Sequence, residues 1–433
     1  MTRKLSALAF ALGCTLSNSA FAAPKNIIYM IGDGMGPAFT TAYRYMQDDK
    51  TTKMVEPTVF DSILVGMAHT YPDDDTVVTD SAAGATALST ASKSYNGAIA
   101  VDTHKQSLKT MLEIAKEQGM TTALVATSQI NHATPASFAA HNESRRNYDE
   151  IANDYIDNKI AGKLPIDLML GGGTKYFIRE DRNLVSEFKK AGYQYVDQFS
   201  HLDSLNNLPA LGLFAEVAFP HAIDSDEPKR LTTMTRKSLE LLDKHQDKGF
   251  FVMIEGSQID WCGHANDIAC AMKEMDDFAG AIKVAKAYID ANPDTLLVVT
   301  ADHSTGGLTL GSNGVYQWKT ELVANVKTSV KELTNTLYDV KSAQMAKAWT
   351  QFTGLPFDKD TEKALAGAQK DSKEALYKAA NKLINDASFT GWTTKGHTAI
   401  DVQIFAYGDG RDAFIGSLNN TQIADKLISY IEY

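Results

Sequence analysis

Short, β-rich apolar runs alternate with helix-period segments along this chain, and several of the runs end in a polar cluster. No other feature constrains the fold as much. The runs cover residues 26–31, 122–127, 166–170, 250–254, 295–300 and 402–407. They read as strands buried on both faces, and intervening segments such as 107–118 and 235–246 carry helical spacing. The alternation predicts an α/β fold, a central, mostly parallel sheet with helices on both faces. Ligands in such folds sit beyond the carboxyl ends of the strands. Here the first run passes into Gly32-Asp33-Gly34, the second is followed by His132-Ala133-Thr134-Pro135, the fourth leads into Glu255, and the fifth into Asp302-His303. Distant parts of the chain thus bring Asp, Glu, His and Thr to one predicted edge, which is the pattern of a metal site.

The length of 433 residues and the 44% hydrophobic content allow a large core. A formal charge of −11 argues against nucleic acid or an anionic membrane as the main partner, because both reward clustered Lys and Arg. An anionic substrate would need local positive charge from Arg or from metals. Arg3 and Lys4, an apolar stretch over 5–16 and Ala20-Phe21-Ala22 predict a cleavable signal at 1–22, hence a periplasmic or secreted mature chain over 23–433. Leu12-Gly13-Cys14 offers lipoprotein anchoring as the less favoured alternative. No segment of the mature chain reads as a membrane span. Its two cysteines, Cys262 and Cys270, lie about 12 Å apart if they share one continuous helix, which is beyond the reach of a bridge. Export would permit a disulfide, but on that premise Cys262 reads as a buried thiol and stability is expected to come from the core.

Residues 308–395 break the strand–helix rhythm. Val323, Val326, Val330, Leu333, Leu337 and Val340 recur at helical spacing, and 361–384 is rich in Lys and Ala. This stretch reads as a mainly helical insertion, with a layer covering the main sheet as the equal alternative. Gly171-Gly172-Gly173 reads as a turn after a strand, because the Gly-Lys-Ser/Thr ending of a phosphate loop is missing.

"VTDSAAGATA", residues 78–87, sets Asp80 and Ser81 before a run of small residues. One reading makes Asp80 or Ser81 an ordinary N-cap. The other makes Ser81 a nucleophile at a helix N-terminus, with small neighbours that let a substrate approach. A bare Ser hydroxyl is a poor nucleophile at neutral pH, so the second reading requires an activator. In "EGSQIDWCGH", Asp260 and His264 are one helical turn apart if the segment is helical, and "DHSTGG" and "KGHT" add Asp302, His303 and His397. Imidazoles with carboxylates suit zinc, whereas Asp33, Thr134 and Glu255 form the all-oxygen set that magnesium prefers.

With "MIGDGMG" around Asp33 and "HATPASFAAHNESR" ending at Arg145, these motifs make the chain resemble the alkaline phosphatases over nearly its whole mature length. The resemblance implies an alkaline-phosphatase-like fold and an exported phosphomonoesterase working through a phosphoserine on Ser81. It also implies two zinc ions and one magnesium. One zinc would be held by Asp260, His264 and His397, the other by Asp33, Asp302 and His303. Asp33 would also reach the magnesium held by Thr134 and Glu255. Arg145, rather than Arg146, would grip the phosphate and Asp80 would orient it. His132 and Trp261 stand where some members carry Asp and Lys, and they are expected near the substrate and the third metal, with His132 not a firm ligand. Cys262 is not needed as a ligand. A homodimer is implied as well. The substrates would be small phosphate monoesters, held by phosphate with the leaving group mostly in solvent. A phosphodiesterase, a sulfatase, a phosphosugar mutase or a non-catalytic phosphate- or zinc-binding protein are the alternatives.

Overall fold

The strands in chain order are β1 (Asn26–Gly32), β2 (Leu64–His69), β3 (Thr121–Gln129), β4 (Leu168–Gly172), β5 (Gln194–Val196), β6 (Ala210–Leu213), β7 (Phe250–Gly256), β8 (Thr295–Thr300), β9 (Ser304–Thr305), β10 (Thr309–Leu310), β11 (Thr390–Gly391), β12 (His397–Thr398), β13 (Val402–Gly408) and β14 (Gly416–Asn419). They come from a computed structural model that describes residues 23–245 and 247–433. The signal predicted over 1–22, with Cys14, lies outside the described residues. Ten strands form one sheet in the order β14-β2-β13-β8-β1-β7-β3-β4-β6-β5. Every pairing in it is parallel except those of β13, which runs against both β2 and β8. The mostly parallel sheet expected from the sequence is thus present, with one reversed strand.

Every residue of β1, β7 and β8 is buried, so these central strands are apolar without alternation. Fully burying an Ile or Val side chain of this kind contributes about 1.5–3 kcal/mol. The register then fixes the chemistry. Ile31 of β1 pairs with both Glu255 of β7 and Thr300 of β8, and Glu255 also pairs with Ala126 of β3. Four adjacent strands therefore release Asp33, Glu255, Asp302-His303 and the His132–Thr134 turn at one edge. The β9–β12 ladder brings in the last histidine, pairing His397 with Thr305.

Helix boundaries differ from the periodicity where caps intervene. The helix expected over 107–118 is Met111–Glu117, begun by a capping box between Thr110 and Glu113, and that expected over 235–246 is Arg230–Asp243. The stretch 323–340 holds two helices, Thr320–Asn325 and Val330–Tyr338, because the Ser329 hydroxyl caps the second. Ser372 likewise divides Lys359–Asp371 from Lys373–Ser388. Gly171 and Gly172 close β4, and Gly173 turns into a short helix.

The reading of Cys262 as a buried thiol is wrong: Cys262 and Cys270 form a disulfide with their Cα atoms 5.5 Å apart. Its premise, one continuous helix, fails. The first helix, Gln258–His264, stops, Asn266 takes a left-handed φ of 54°, and the next helix runs Ile268–Ala291 from an Asp267 cap. The reversal folds the two cysteines back on each other. No spacing rule for a straight helix applies across it.

Candidate active site

Asp33 leaves β1 through a turn that only glycine fits. Gly34 has a φ of +71°, and a Cβ there would stand 2.8 Å from the Asp260 backbone. The Gly34 N–H donates to Asp302 Oδ1 at 3.1 Å, which locks the β1 and β8 ends together. His303 Nε2 lies 3.4 Å from Asp33 Oδ1 and 3.2 Å from Asp302 Oδ2, all three side chains being fully buried. Stacked on its ring at 3.6 Å is His397. His397 Nε2 stands 3.2 Å from His264 Nε2 and 3.6 Å from Asp260 Oδ1, and His264 Nε2 is 3.3 Å from Asp260 Oδ2. Both outer nitrogens face carbonyls, His397 Nδ1 that of Thr79 at 2.8 Å and His264 Nδ1 that of Lys395. That orientation turns each Nε2 toward the cluster.

Ser81 opens the Ser81–Thr90 helix, whose ten residues are all buried. Small side chains are required there: a Cβ on Gly84 would lie 3.1 Å from the Asp302 carbonyl oxygen. Ser81 Oγ is 3.1 Å from His303 Nε2. That nitrogen therefore faces three oxygens, from Ser81, Asp33 and Asp302, and as a donor it can satisfy one. A cation among them satisfies all. The capping reading of the sequence also holds, since Asp80 Oδ1 accepts from Ala83 N at 2.9 Å and Gly97 N at 3.1 Å. Asp80 Oδ2 accepts from Arg145 at 3.0 Å, so the cap and the candidate nucleophile are adjacent residues. The neighbouring Arg146 is exposed.

Glu255, Asp33 and His132 present ligand atoms within 4.8 Å of one another, as do Asp33, Asp302 and His303, and Asp260, His303 and His397. Thr134 is fully buried, and its hydroxyl has no well-formed hydrogen bond. His132 offers a ring nitrogen within 4.8 Å of Asp33 and Glu255 oxygens, beside the expected third metal site, and its Nε2 lies 3.4 Å from Arg145. Trp261 meets the His132 ring edge-on at 5.9 Å. A fourth group, His221 with Cys262 and Cys270, is closed to metal because the sulfurs are bonded to each other.

Burial first, then the charges of Asp302, Asp260 and Glu255, pushes Asp33 well above the usual carboxylate range. Burial also lifts Glu255 to about 7 against the hydrogen bond from Ser257, and Asp302 to about 7 against that from Gly34. Burial drives His303 well below its ordinary value, with His397 adding repulsion, and lowers His132 to about 3 with Arg145 beside it. Asp260 runs the other way. Burial opposes its charge, but His264, His303 and His397 surround it and hold it low. Both Asp33 oxygens, Glu255 Oε1 and Asp302 Oδ2 are buried without a well-formed hydrogen bond. Buried, mutually repelling carboxylates with spare lone pairs are the donor set of a divalent cation.

Asp33, Asp80, Ser81, His132, Arg145, Glu255, Asp260, His264, Asp302, His303 and His397 thus gather in one cluster, with Trp261 packed on His132, while Arg146 stays outside it. Two supporting residues were missed. Thr305 donates to Asp260 Oδ1 and sits 3.2 Å from His303 Nδ1, bridging the histidine clusters. Ser257 donates to Glu255 Oε2 at 2.7 Å and so aims Oε1 inward. Their only sequence signal is a hydroxyl two residues from a candidate ligand.

The described family whose model matches residues 24–433 is alkaline phosphatase. Alkaline phosphatase 3 of Bacillus subtilis is 47% identical over 415 residues, 94% of this chain and 89% of that protein. The crystal structure of a cold-active alkaline phosphatase from a psychrophilic Shewanella shares 48% identity at a TM-score of 0.89, covering 94% of this chain and 99% of the other. A variant of the alkaline phosphatase of the Antarctic bacterium TAB5, with Mg bound in a site called M3, matches at 28% identity and a TM-score of 0.70 over 95% and 99% of the two chains.

Proposed function

Because the chain belongs to the alkaline phosphatase family and is a phosphomonoesterase, we propose that Ser81 is its nucleophile and that the surrounding carboxylates and imidazoles hold two zinc ions and one magnesium. One observation carries the reading: Ser81 Oγ lies 3.1 Å from the nitrogen of His303 that also faces Asp33 and Asp302. Asp260, His264 and His397 form one zinc set, and Asp33, Asp302 and His303 the other. Asp33, Glu255 and Thr134 suit magnesium, with His132 within reach. Bound there, the ions supply charge that lowers the pKa of hydroxyl groups and stabilises attacking and leaving oxygens.

The chain's own groups do the rest. Ser81 Oγ loses its proton to solvent and bonds to phosphorus as the ester bond breaks, and the departing alkoxide takes a proton from solvent, leaving a phosphoserine and a free alcohol. Water then attacks that phosphorus, frees Ser81 and releases inorganic phosphate. Two displacements give net retention of configuration. Arg145 offers its guanidinium fork to two non-bridging oxygens while Asp80 and Gly97 hold it in place. His132, edge-on to Trp261 and beside Arg145, flanks the phosphate. Among the described residues, no helix is long and apolar enough to cross a membrane. The 1–22 signal supports export, residues 308–395 form a helical insertion, and the family likeness supports a homodimer.

The test is metal analysis of purified protein, with activity on a phosphate monoester before and after chelation and after return of zinc and magnesium. Turnover at the original rate in fully stripped protein would overturn the assignment.

A further inference from the structure

The helix Gln258–His264 carries Asp260 and His264 and ends in the tight reversal at 265–267. The side chain of His264 is 42% exposed, against 13% for His397 and 5% for Asp260, so it is the least enclosed of the three. The Lys395 carbonyl at Nδ1 orients the ring, and the reversal places the backbone that carries it. The carbonyls that leave a helix at its C-terminus lack intrahelical partners and must find others. Here they find them on a distant helix, Lys373–Ser388. The Ala265 carbonyl accepts from Tyr377 Oη at 2.8 Å and from Asn381 Nδ2 at 2.7 Å. The Asn266 carbonyl accepts from Asn385 Nδ2 at 3.1 Å. Tyr377, Asn381 and Asn385 are spaced four apart and so share one helical face. Asn385 is itself held by Asn381 Oδ1 at 2.7 Å and Trp392 Nε1 at 3.2 Å. From a second helix the Val330 N–H donates to Asp267 Oδ2 at 2.7 Å.

We infer that the helix Lys373–Ser388 is a clamp for the metal ligand His264, with Asn381 and Tyr377 as positioning residues that act through the Ala265 carbonyl. The inference rests on the zinc set Asp260, His264 and His397. It gives the helical region a role in the reaction distinct from covering the sheet: the region fixes the one ligand of that set that solvent reaches most.

The experiment is zinc release from the reconstituted full-length protein into a colorimetric chelator, where two bound ions give two phases. His264→Ala identifies the phase that belongs to its set by abolishing it. Asn381→Leu and the milder Tyr377→Phe should each accelerate that phase selectively, Asn381→Leu by about tenfold, the lower range for losing an outer-shell partner. The other phase should keep its rate. Gln369→Leu is the control: it removes three bonds to the carbonyls of Leu337, Tyr338 and Val340 within the helical region and none to the reversal. It should change neither phase. Unchanged release from both Asn381→Leu and Tyr377→Phe, equal acceleration of both phases, or the same effect from Gln369→Leu would overturn the clamp while leaving the zinc set intact. Two undisturbed phases in His264→Ala would remove the zinc set, and the clamp with it.

Discussion

Stripping divalent ions should make the fold lose stability as the pH rises from about 6.5 to about 8, by about 0.4 kcal/mol or more. The perturbation works on the buried carboxyls. Glu255 and Asp302 are fully buried, and burial raises each to about 7 in the folded protein. In the unfolded chain they return to about 4. The folded state therefore binds protons that the unfolded chain has already released, and stability falls as pH climbs through about 7. A group that titrates at about 7 when folded contributes about 0.8 kcal/mol of loss over this window. Asp33, raised further by burial and by the Asp302 charge, adds in the same direction. So does His264, where burial opposes the charge but the Asp260 carboxylate prevails and raises its pKa. Three other histidines oppose this loss inside the window. His132, His303 and His397 are held neutral by burial. With an ordinary pKa of about 6.5, each is still half protonated in the unfolded chain where the window opens, and the loss of those protons offsets about 0.4 kcal/mol apiece. Urea unfolding followed by Trp fluorescence, on chelated and on metal-loaded protein at several pH values, reads the effect. The loaded protein should not lose stability, because binding the ions requires the ligands deprotonated. A flat or rising stability in the stripped protein would refute the argument that repulsion among these carboxyls is held off by protons.

Ser81→Ala should form no phosphoenzyme and lower kcat by about 10^3-fold or more, read by acid-quench trapping of labelled phosphate. Arg145→Lys keeps the charge but loses the fork, and should lower kcat/KM by about 10^2-fold, with zinc content unchanged by elemental analysis. Replacing Cys262 and Cys270 together by Ala opens a short loop and should cost about 2.5 kcal/mol of stability on the loop-entropy estimate, measured by urea midpoints. Gly84→Ala pushes a methyl against the Asp302 carbonyl and should cost about 1–3 kcal/mol by overpacking, seen as a lower melting temperature.

Much of the site was legible because its residues lie just past strand ends. A parallel strand buried on both faces must be an unbroken apolar run, so Asp33, Glu255 and Asp302-His303 stand out as the first polar residues after one. Ser81 was legible through its small neighbours, which the approach of Gly84 to Asp302 requires. The disulfide was not. Its partners are brought together by a left-handed residue at Asn266, and nothing in the cysteine spacing records that break. Helix ends were set by caps at Thr110, Ser329 and Ser372 that periodicity alone passes over.

By itself, then, the amino-acid order determined which segments become strands and which side chains leave their ends, since burial and polarity act on near neighbours. Tertiary structure alone decided which ends stand side by side, the reversal of β13, the bridge of Thr305 between two histidine clusters and the hold of Asn381 on the Ala265 carbonyl. Those are contacts across tens or hundreds of residues. Their geometry exists only once the sheet has set its register and the helices have packed upon it.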